Sequence, residues 1–364
     1  MPKITRRDFL KLGAVATLGV PPILASFAGA GGGEEAAMEQ TARVAAIRGS
    51  DLYTMTREAL EAVGGIRSIV HEGETVFIKP NMVTLPWAQY NNPFTAGECT
   101  KPEILIACAE ECLKAGAREV IIGDGSQKPR FDWSLATTLD NSTNLVRAAA
   151  HLSSKYAGKV TLACLEIATP EWIEFPTNIS LGKVAVSSLV TRADRVISIP
   201  VAKTHRWAQL TLSLKNFVGI TPLKRYGWRN AGNYSRNHLH RNDYTPKAIG
   251  QLYFDLSHAA NPDLTIIDFS IGVESDGPTL SQGGDALNVK DRLGSWLLLA
   301  STDLAAADAT AARVMNHDEE YVNRILTMAH KQGLGVINER SIDIVGDRLD
   351  ALRMKWEPAT LALG

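Results

Sequence analysis

Residues able to do chemistry cluster just after a predicted buried strand in the middle of the chain. The apolar run Val196 to Ile199 stops at Pro200, and Lys203 and His205 follow at once. In an open parallel sheet, ligands bind beyond the carboxyl ends of the strands, so these residues mark a predicted site. A lysine among cations has a lowered pKa and can act as a base or form a Schiff base, and a histidine can transfer protons. We therefore predict that Lys203, His205 and Lys215 are catalytic.

The segment around this cluster carries charge of one sign. Between Arg195 and Asn242, 48 residues contain no Asp or Glu but three Lys and six Arg. Such a segment repels itself unless it faces an anion, an acidic surface or solvent. Interleaved aromatic residues such as Trp207 and Tyr226, and the preceding buried strand, favour an anion site; a solvated basic loop is the alternative.

Polar residues also end other predicted strands, which cover residues 75–78, 118–122 and 264–268. Because parallel strands share one carboxyl edge, we expect these residues to meet the central cluster. The Gly123 to Ser126 stretch could form a backbone nest for an anion or a plain tight turn, and its spacing fits neither a P-loop nor a dinucleotide fingerprint. The predicted ligand-binding residues are Lys79, Asn81, Asp124, Ser126 and Asn216.

Two kinds of metal site fit the sequence. A His-x-His pair on a strand puts both imidazoles on one face, which suits a transition metal. Alternatively, acidic residues after the strand at 264–268 could hold a hard divalent cation together with a bound phosphate. Hydrogen-bonded histidines without metal remain a third possibility, because nearby cations oppose metal binding. The candidate metal ligands are Asp268, Asp276, His238 and His240.

The four cysteines contain no C-x-x-C pair, so we expect no iron–sulfur cluster or structural zinc from them. Buried free thiols are the expectation, and one disulfide is the alternative in an oxidising compartment.

The N-terminus has the features of an export signal. Arg6 and Arg7 precede an apolar, Gly- and Ala-rich stretch that ends at Ala28-Gly29-Ala30, a small-residue cleavage site. We predict a twin-arginine signal peptide over 1–30, a linker over 31–40 and one α/β domain over 41–364. The predicted location is periplasmic or otherwise extracytoplasmic, with the twin-arginine translocase as a partner during export. An uncleaved membrane anchor is the alternative.

Composition and pattern limit the fold and the partners. The 364 residues have a formal net charge of −1, and the chain without its first 30 residues has a net charge of −4. This balance argues against general nucleic-acid binding. Strand and helix patterns alternate along the chain, which predicts an α/β fold with a mostly parallel layered sheet and helices on both faces.

Several motifs, in this order, resemble those of the DUF362 family, a domain of unknown function. They are V-F-I-K-P-N, G-D-G-S, I-P-V-A-K-T-H, T-L-S-L-K-N-F-V-G, H-L-H, D-L-T-I-I-D and S-T-D-L-A-A-A-D-A, and the resemblance covers about Thr41 to Met315. The family's chemistry is not established. Many relatives resemble fusions to ferredoxin-type cysteine motifs, which this chain lacks.

These observations predict an exported enzyme that acts on a small anionic substrate, a carboxylate or a phosphate, with or without a divalent metal. The alternative is a non-catalytic ligand-binding module, or a redox partner associated with iron–sulfur proteins. The sequence leaves the cofactor, the substrate and the reaction open.

Overall fold

The computed structural model describes residues 41–177, 181–230, 233–240 and 243–360. The predicted signal peptide (1–30) and linker (31–40) lie outside the described residues. The strands in the described residues are β1 (Ala42–Gly49), β2 (Thr75–Pro80), β3 (Glu119–Asp124), β4 (Lys159–Cys164), β5 (Trp172–Pro176), β6 (Lys183–Ser187), β7 (Arg195–Ile199), β8 (Val201–His205), β9 (Gln209–Thr211), β10 (Trp228–Asn230), β11 (Asn233–Ser235), β12 (Leu264–Ser275), β13 (Gly284–Asn288), β14 (Trp296–Ser301) and β15 (Ile342–Gly346).

Eleven of these strands form one sheet. Its main order is β15-β1-β14-β12-β7-β2-β3-β4, with β13 and β8 paired to β12 and β9 paired to β8. Six of the pairings are parallel, and β14 runs antiparallel to both of its neighbours. The strand pairs β5-β6 and β10-β11 are separate. The predicted α/β fold with a mostly parallel sheet is confirmed.

Five longer helices cover the sheet: α1 (Leu52–Ala62), α2 (Pro102–Lys114), α3 (Leu145–Lys155), α4 (Pro246–Ala260) and α5 (Leu304–Val314). Several begin at a side chain that accepts a backbone N–H, for example Asp51 before α1 and Asp303 before α5. No helix in the described part of the chain is long and apolar enough to cross a membrane.

Neighbouring strand residues point into two different cores. In β2, Phe77 belongs to the core that contains α4 and α5, whereas Val76 and Ile78 belong to the core that contains α1, α2 and α3. This alternation follows from the two-residue period of a strand, and it leaves both faces of the sheet buried under helices.

Short helical segments fill the connections. The α-helical turns are Leu165–Ala168, Ser188–Thr191, Ser213–Asn216, Leu223–Tyr226, Lys290–Leu293, Asp318–Tyr321, Thr327–His330 and Leu349–Leu352. The 3₁₀ turns are Ile66–Ser68, Leu85–Trp87, Trp133–Leu135, Phe217–Ile220, Asn237–Leu239, Leu280–Gln282 and Glu339–Ser341, and a π-helical segment spans Val322–Leu326.

Two local expectations differ from the structure. The chain does not leave the sheet at Pro200, because β8 starts at the next residue and pairs with the continuation of the long strand β12. Apolar and polar residues alternate from Leu210 to Leu214, which predicts a strand, but the run is not one strand. Only its first part belongs to β9, and a helical turn begins at Ser213, where the buried carboxylate of Asp308 accepts the N–H groups of Ser213 and Leu214.

Candidate functional site

A cavity of about 180 Å³ lies where β2, β3, β8 and the turn Ser213–Asn216 come together. All eight residues predicted to be catalytic or ligand-binding line it, and one of the predicted metal ligands joins them. These nine lining residues are Lys79, Asn81, Asp124, Ser126, Lys203, His205, Lys215, Asn216 and His240.

A buried ion pair closes one wall of this cavity. The Nζ of Lys79 lies 2.5 Å from Oδ1 of Asp124, and it also donates to the carbonyl of Pro80 and to Oδ1 of Asn216. The Asn216 amide in turn donates to the carbonyl of Lys79 at 2.7 Å. The three ammonium protons of Lys79 therefore all have acceptors within the protein, so this lysine holds β2, β3 and the turn together.

The ion pair requires a glycine beside it. A Cβ added to Gly219 would lie 2.6 Å from Oδ1 of Asp124 and 2.9 Å from Nζ of Lys79. Both distances are too short for a real methyl group.

Two further predicted ligand-binding residues have structural partners of their own. The hydroxyl of Ser126 donates to the carbonyls of Met82 and Val83, and the side-chain oxygen of Asn81 accepts the N–H of Val83. The Ser126 bonds fasten the loop after β2 to the loop after β3 at the rim of the cavity, and the Asn81 bond lies within the first of these loops.

Lys203 is fully buried and donates to the carbonyl of Glu98 at 2.7 Å. In the described part of the chain, no carboxylate lies within ion-pair distance of its ammonium. Burial lowers the pKa of Lys203 to about 8, with nearby Cys99 and Glu98 acting in the opposite direction and Lys101 adding to the decrease.

Lys215 is half-buried and lines the cavity. Among the described residues, its amine has neither a hydrogen-bond acceptor nor a carboxylate partner. Burial lowers the pKa of Lys215 to about 7, and the positive charges of Lys203 and Arg236 lower it further. Near neutral pH this side chain is therefore both a usable base and a usable acid.

The hydrogen bonds of His205 fix its tautomer. Its Nδ1 accepts the backbone N–H groups of Trp207 and Ala208, at 3.1 and 3.3 Å, so the ring proton lies on Nε2. Burial, followed by the charges of Lys215 and Lys203, lowers the pKa of His205 well below its usual range. The residue is thus a neutral imidazole that can donate a hydrogen bond from Nε2, and its predicted role in catalysis stays a prediction.

Other cavity residues were not singled out by the sequence. Arg236 lies half-buried, donates to the carbonyls of Thr221 and Ser126, and has no carboxylate partner in the described ranges. Burial lowers its pKa to about 10. The hydroxyl of Thr211 is buried against the cavity without a hydrogen-bond partner among the described residues. Arg236 belongs to the acid-free segment, which was its only sequence signal, and nothing in the pattern indicated Thr211.

The candidate metal ligands do not come together. Asp268 is fully buried inside β12, where its carboxylate pairs with Lys101 at 3.3 Å and accepts the N–H and hydroxyl of Ser270. The carboxylate of Asp276 accepts the N–H and hydroxyl of Thr360 and lies 3.5 Å from Arg206. Neither carboxylate lines the cavity.

The two histidines of the His-x-His pair also have different surroundings. His238 is exposed, whereas His240 lines the cavity. They lie around a 3₁₀ turn rather than on a strand, so the expected placement on one strand face does not occur. In the described ranges, no group of three or more His, Cys, Asp or Glu side chains is placed to hold a metal ion. All four cysteines are free thiols.

Comparison with known proteins places the chain in a family. The model of a domain of unknown function, DUF362, matches residues 76–313. The chain belongs to the DUF362 family. The family predicted from the motifs is therefore confirmed.

Two individual proteins are similar to this DUF362 protein. A thylakoid-associated protein of Synechocystis sp. is 28% identical over 291 residues, which is 78% of this chain and 75% of that relative. The lactate racemase apoprotein from Thermoanaerobacterium thermosaccharolyticum matches with a TM-score of 0.36 and 12% identity. That match covers 76% of this chain and 57% of the racemase chain.

Proposed function

We propose that this protein is an enzyme that acts on a small carboxylate or phosphate held in the cationic cavity. The supporting observation is an excess of unpaired positive charge. Lys203, Lys215 and Arg236 line the cavity without carboxylate partners in the described part of the chain, whereas the one carboxylate at the wall, that of Asp124, is already paired with Lys79. Unpaired cations in a cavity of low dielectric attract an anion strongly.

The side chains have complementary roles in this proposal. Lys203 and Arg236 neutralise the anionic group of the substrate. His205 donates a hydrogen bond from Nε2 to a second oxygen of the substrate. Lys215 exchanges a proton with the substrate, since its pKa of about 7 gives it both protonation states at neutral pH.

Ligand-dependent unfolding tests the binding part of the proposal. The full chain is melted in phosphate, sulfate, acetate and lactate, each at the ionic strength of a chloride reference. We expect a saturable rise in melting temperature with at least one anion, because a ligand that binds only the folded state stabilises it. Lys203→Met should weaken that binding about tenfold or more, the loss of one buried charged contact. Lys331→Met, at an exposed lysine, is the matched control.

A turnover screen tests the catalytic part. Anions that raise the melting temperature are incubated with the protein, and their consumption is followed by NMR. Consumption that is lost in Lys215→Met supports the enzyme. Binding without consumption would instead favour the non-catalytic module, and the absence of any anion effect would refute the site itself.

We also propose that the protein is exported by the twin-arginine route. The support is the Arg6-Arg7 pair followed by the apolar stretch and the small-residue cleavage site.

A further inference from the structure

The three lysines at the cavity differ in what their amines contact. Lys79 donates to three acceptors of the protein, one of them a carboxylate. Lys203 donates to one carbonyl, and the other two protons of its ammonium have no acceptor among the described residues. Lys215 has no acceptor in the described ranges although it is half-buried in the cavity wall. An unpartnered amine is poorly suited to a structural role, and its lone pair is free to react.

We propose that Lys215 forms an imine with the carbonyl carbon of a small 2-oxo carboxylate. The proposal rests on the function proposed above and names its substrate class. A simple carboxylate or phosphate needs only cations, whereas a reactive amine beside those cations fits a substrate that carries a carbonyl next to its acid group.

The rest of the cavity matches the two ends of such a molecule. Lys203 and Arg236 provide the charge that holds the carboxylate. The neutral imidazole of His205 and the hydroxyl of Thr211, which has no hydrogen-bond partner among the described residues, provide hydrogen bonds for the carbonyl oxygen. A cavity of roughly 150 Å³ accommodates benzene, so one of about 180 Å³ suits a ligand with few carbon atoms.

The chemical step balances with groups already present. The lone pair of the neutral Lys215 amine attacks the carbonyl carbon, and a C–N bond forms as the C=O π bond breaks. The resulting carbinolamine loses its oxygen as water. If the imine is neutral, both protons of the water come from the Lys215 amine. If the imine stays protonated, one proton of the water comes from the amine and Lys203 supplies the other. No oxidant or reductant takes part.

The acid–base properties agree with these roles. A lysine must be deprotonated to attack, and the pKa of Lys215, lowered to about 7 by burial and by its cationic neighbours, leaves about half of it neutral at that pH. The pKa of Lys203, lowered to about 8 by burial, keeps it mostly protonated under the same conditions, as a proton donor must be.

Reductive trapping tests the proposal directly. The full chain is incubated with pyruvate or glyoxylate and sodium cyanoborohydride, which reduces an imine to a stable secondary amine. We expect the intact mass to increase by one coupled molecule, and peptide mapping to place the adduct on Lys215. Trapping should increase as the pH rises through 7. Lys215→Arg should abolish it, and Lys331→Arg should leave it unchanged.

Besides a failure to trap any adduct, two results would overturn the imine. One is an adduct spread over exposed lysines; the other is an undiminished adduct in folded Lys215→Arg, with folding checked by circular dichroism. Lactate separates the failure of the imine from the failure of the proposed function. It has the same charge as pyruvate but no 2-oxo group, so it can bind to the anion site without forming an imine. If lactate and pyruvate both raise the melting temperature and nothing is trapped, the imine is wrong and the anion site stands. If neither of these anions raises it and phosphate, sulfate and acetate do not raise it either, the anion site is also wrong.

Discussion

Removing the charge of Lys215 should stabilise the folded protein at low pH. The pKa of this side chain falls from the ordinary value of 10.5 to about 7 in the folded state. A folded-state pKa below the unfolded value means that stability is lost as the pH falls through 7 and is fully present only above 10.5. Lys215→Met keeps most of the length and the apolar character of the side-chain stem, so its main effect is to remove this pH-dependent penalty.

The size of the effect follows from the shift. One pKa unit corresponds to about 1.4 kcal/mol, so the full shift gives a ceiling of about 5 kcal/mol. Solvent at the open side of the cavity screens the charge, and we therefore expect a gain of about 2 kcal/mol for Lys215→Met at pH 6. The gain should shrink between pH 7 and pH 10 because the native lysine is then already neutral in the folded state.

Urea unfolding of the parent and of Lys215→Met at pH 6, 8 and 9.5 measures this difference. Lys331→Met, at an exposed position, should show no such pH dependence. Phosphate should stabilise the parent more than the variant, since the anion compensates a charge that the variant lacks. A variant that is less stable at pH 6, or a difference that is constant with pH, would refute the account of Lys215 as a half-buried amine without a carboxylate partner in the described ranges.

Three further predictions concern the wall of the cavity and the predicted signal peptide. Asp124→Asn should destabilise the protein by about 3–5 kcal/mol in urea unfolding, because it leaves the ammonium of Lys79 buried without its carboxylate; a loss below about 1 kcal/mol would contradict a structural ion pair. Gly219→Ala should lower the melting temperature and weaken anion binding, since its methyl group would press on Asp124, and unchanged values would contradict the close approach. Replacing Arg6 and Arg7 by lysines should retain the protein in the cytoplasm, as cell fractionation would show, and continued export would argue against the twin-arginine route.

Several of the residues that meet at the sheet edge could be predicted from the sequence, because strand ends in a parallel sheet share one side. Lys79, Asp124 and Lys203 were found in this way. Which of the lysines forms an ion pair could not be predicted, because it depends on which amine reaches which carboxylate in three dimensions. Lys79 and Asp124 neutralise each other, and only the structure shows that Lys203 and Lys215 have no carboxylate partner among the residues it describes.

Asp268 shows where the strand-end argument fails. The sequence placed it at the end of a strand, but β12 continues to Ser275, so Asp268 lies inside the sheet. Lys101, which precedes α2, reaches it there and forms a buried pair. The hydrophobic run before Asp268 does not indicate where β12 ends. The strand continues past Asp268 because the neighbouring strand β8 pairs with it there. Lys101 itself gave no sequence signal, because it lies far from Asp268 in the chain.

The charge of Lys215 depends on what the cavity contains. Without an anion, Lys203 and Arg236 favour loss of its proton, which produces the neutral amine that can accept a proton or attack a carbonyl. A bound carboxylate neutralises part of that field and raises the affinity of Lys215 for a proton. In the proposed reaction the amine of Lys215 is therefore neutral when the substrate arrives. Once the substrate is bound, its carboxylate favours the protonated form of the Lys215 nitrogen. A carboxylate partner stabilises the charged form of a lysine, as Asp124 does for Lys79, whereas Lys215 has no such partner among the described residues. The reactivity proposed for Lys215 depends on this difference.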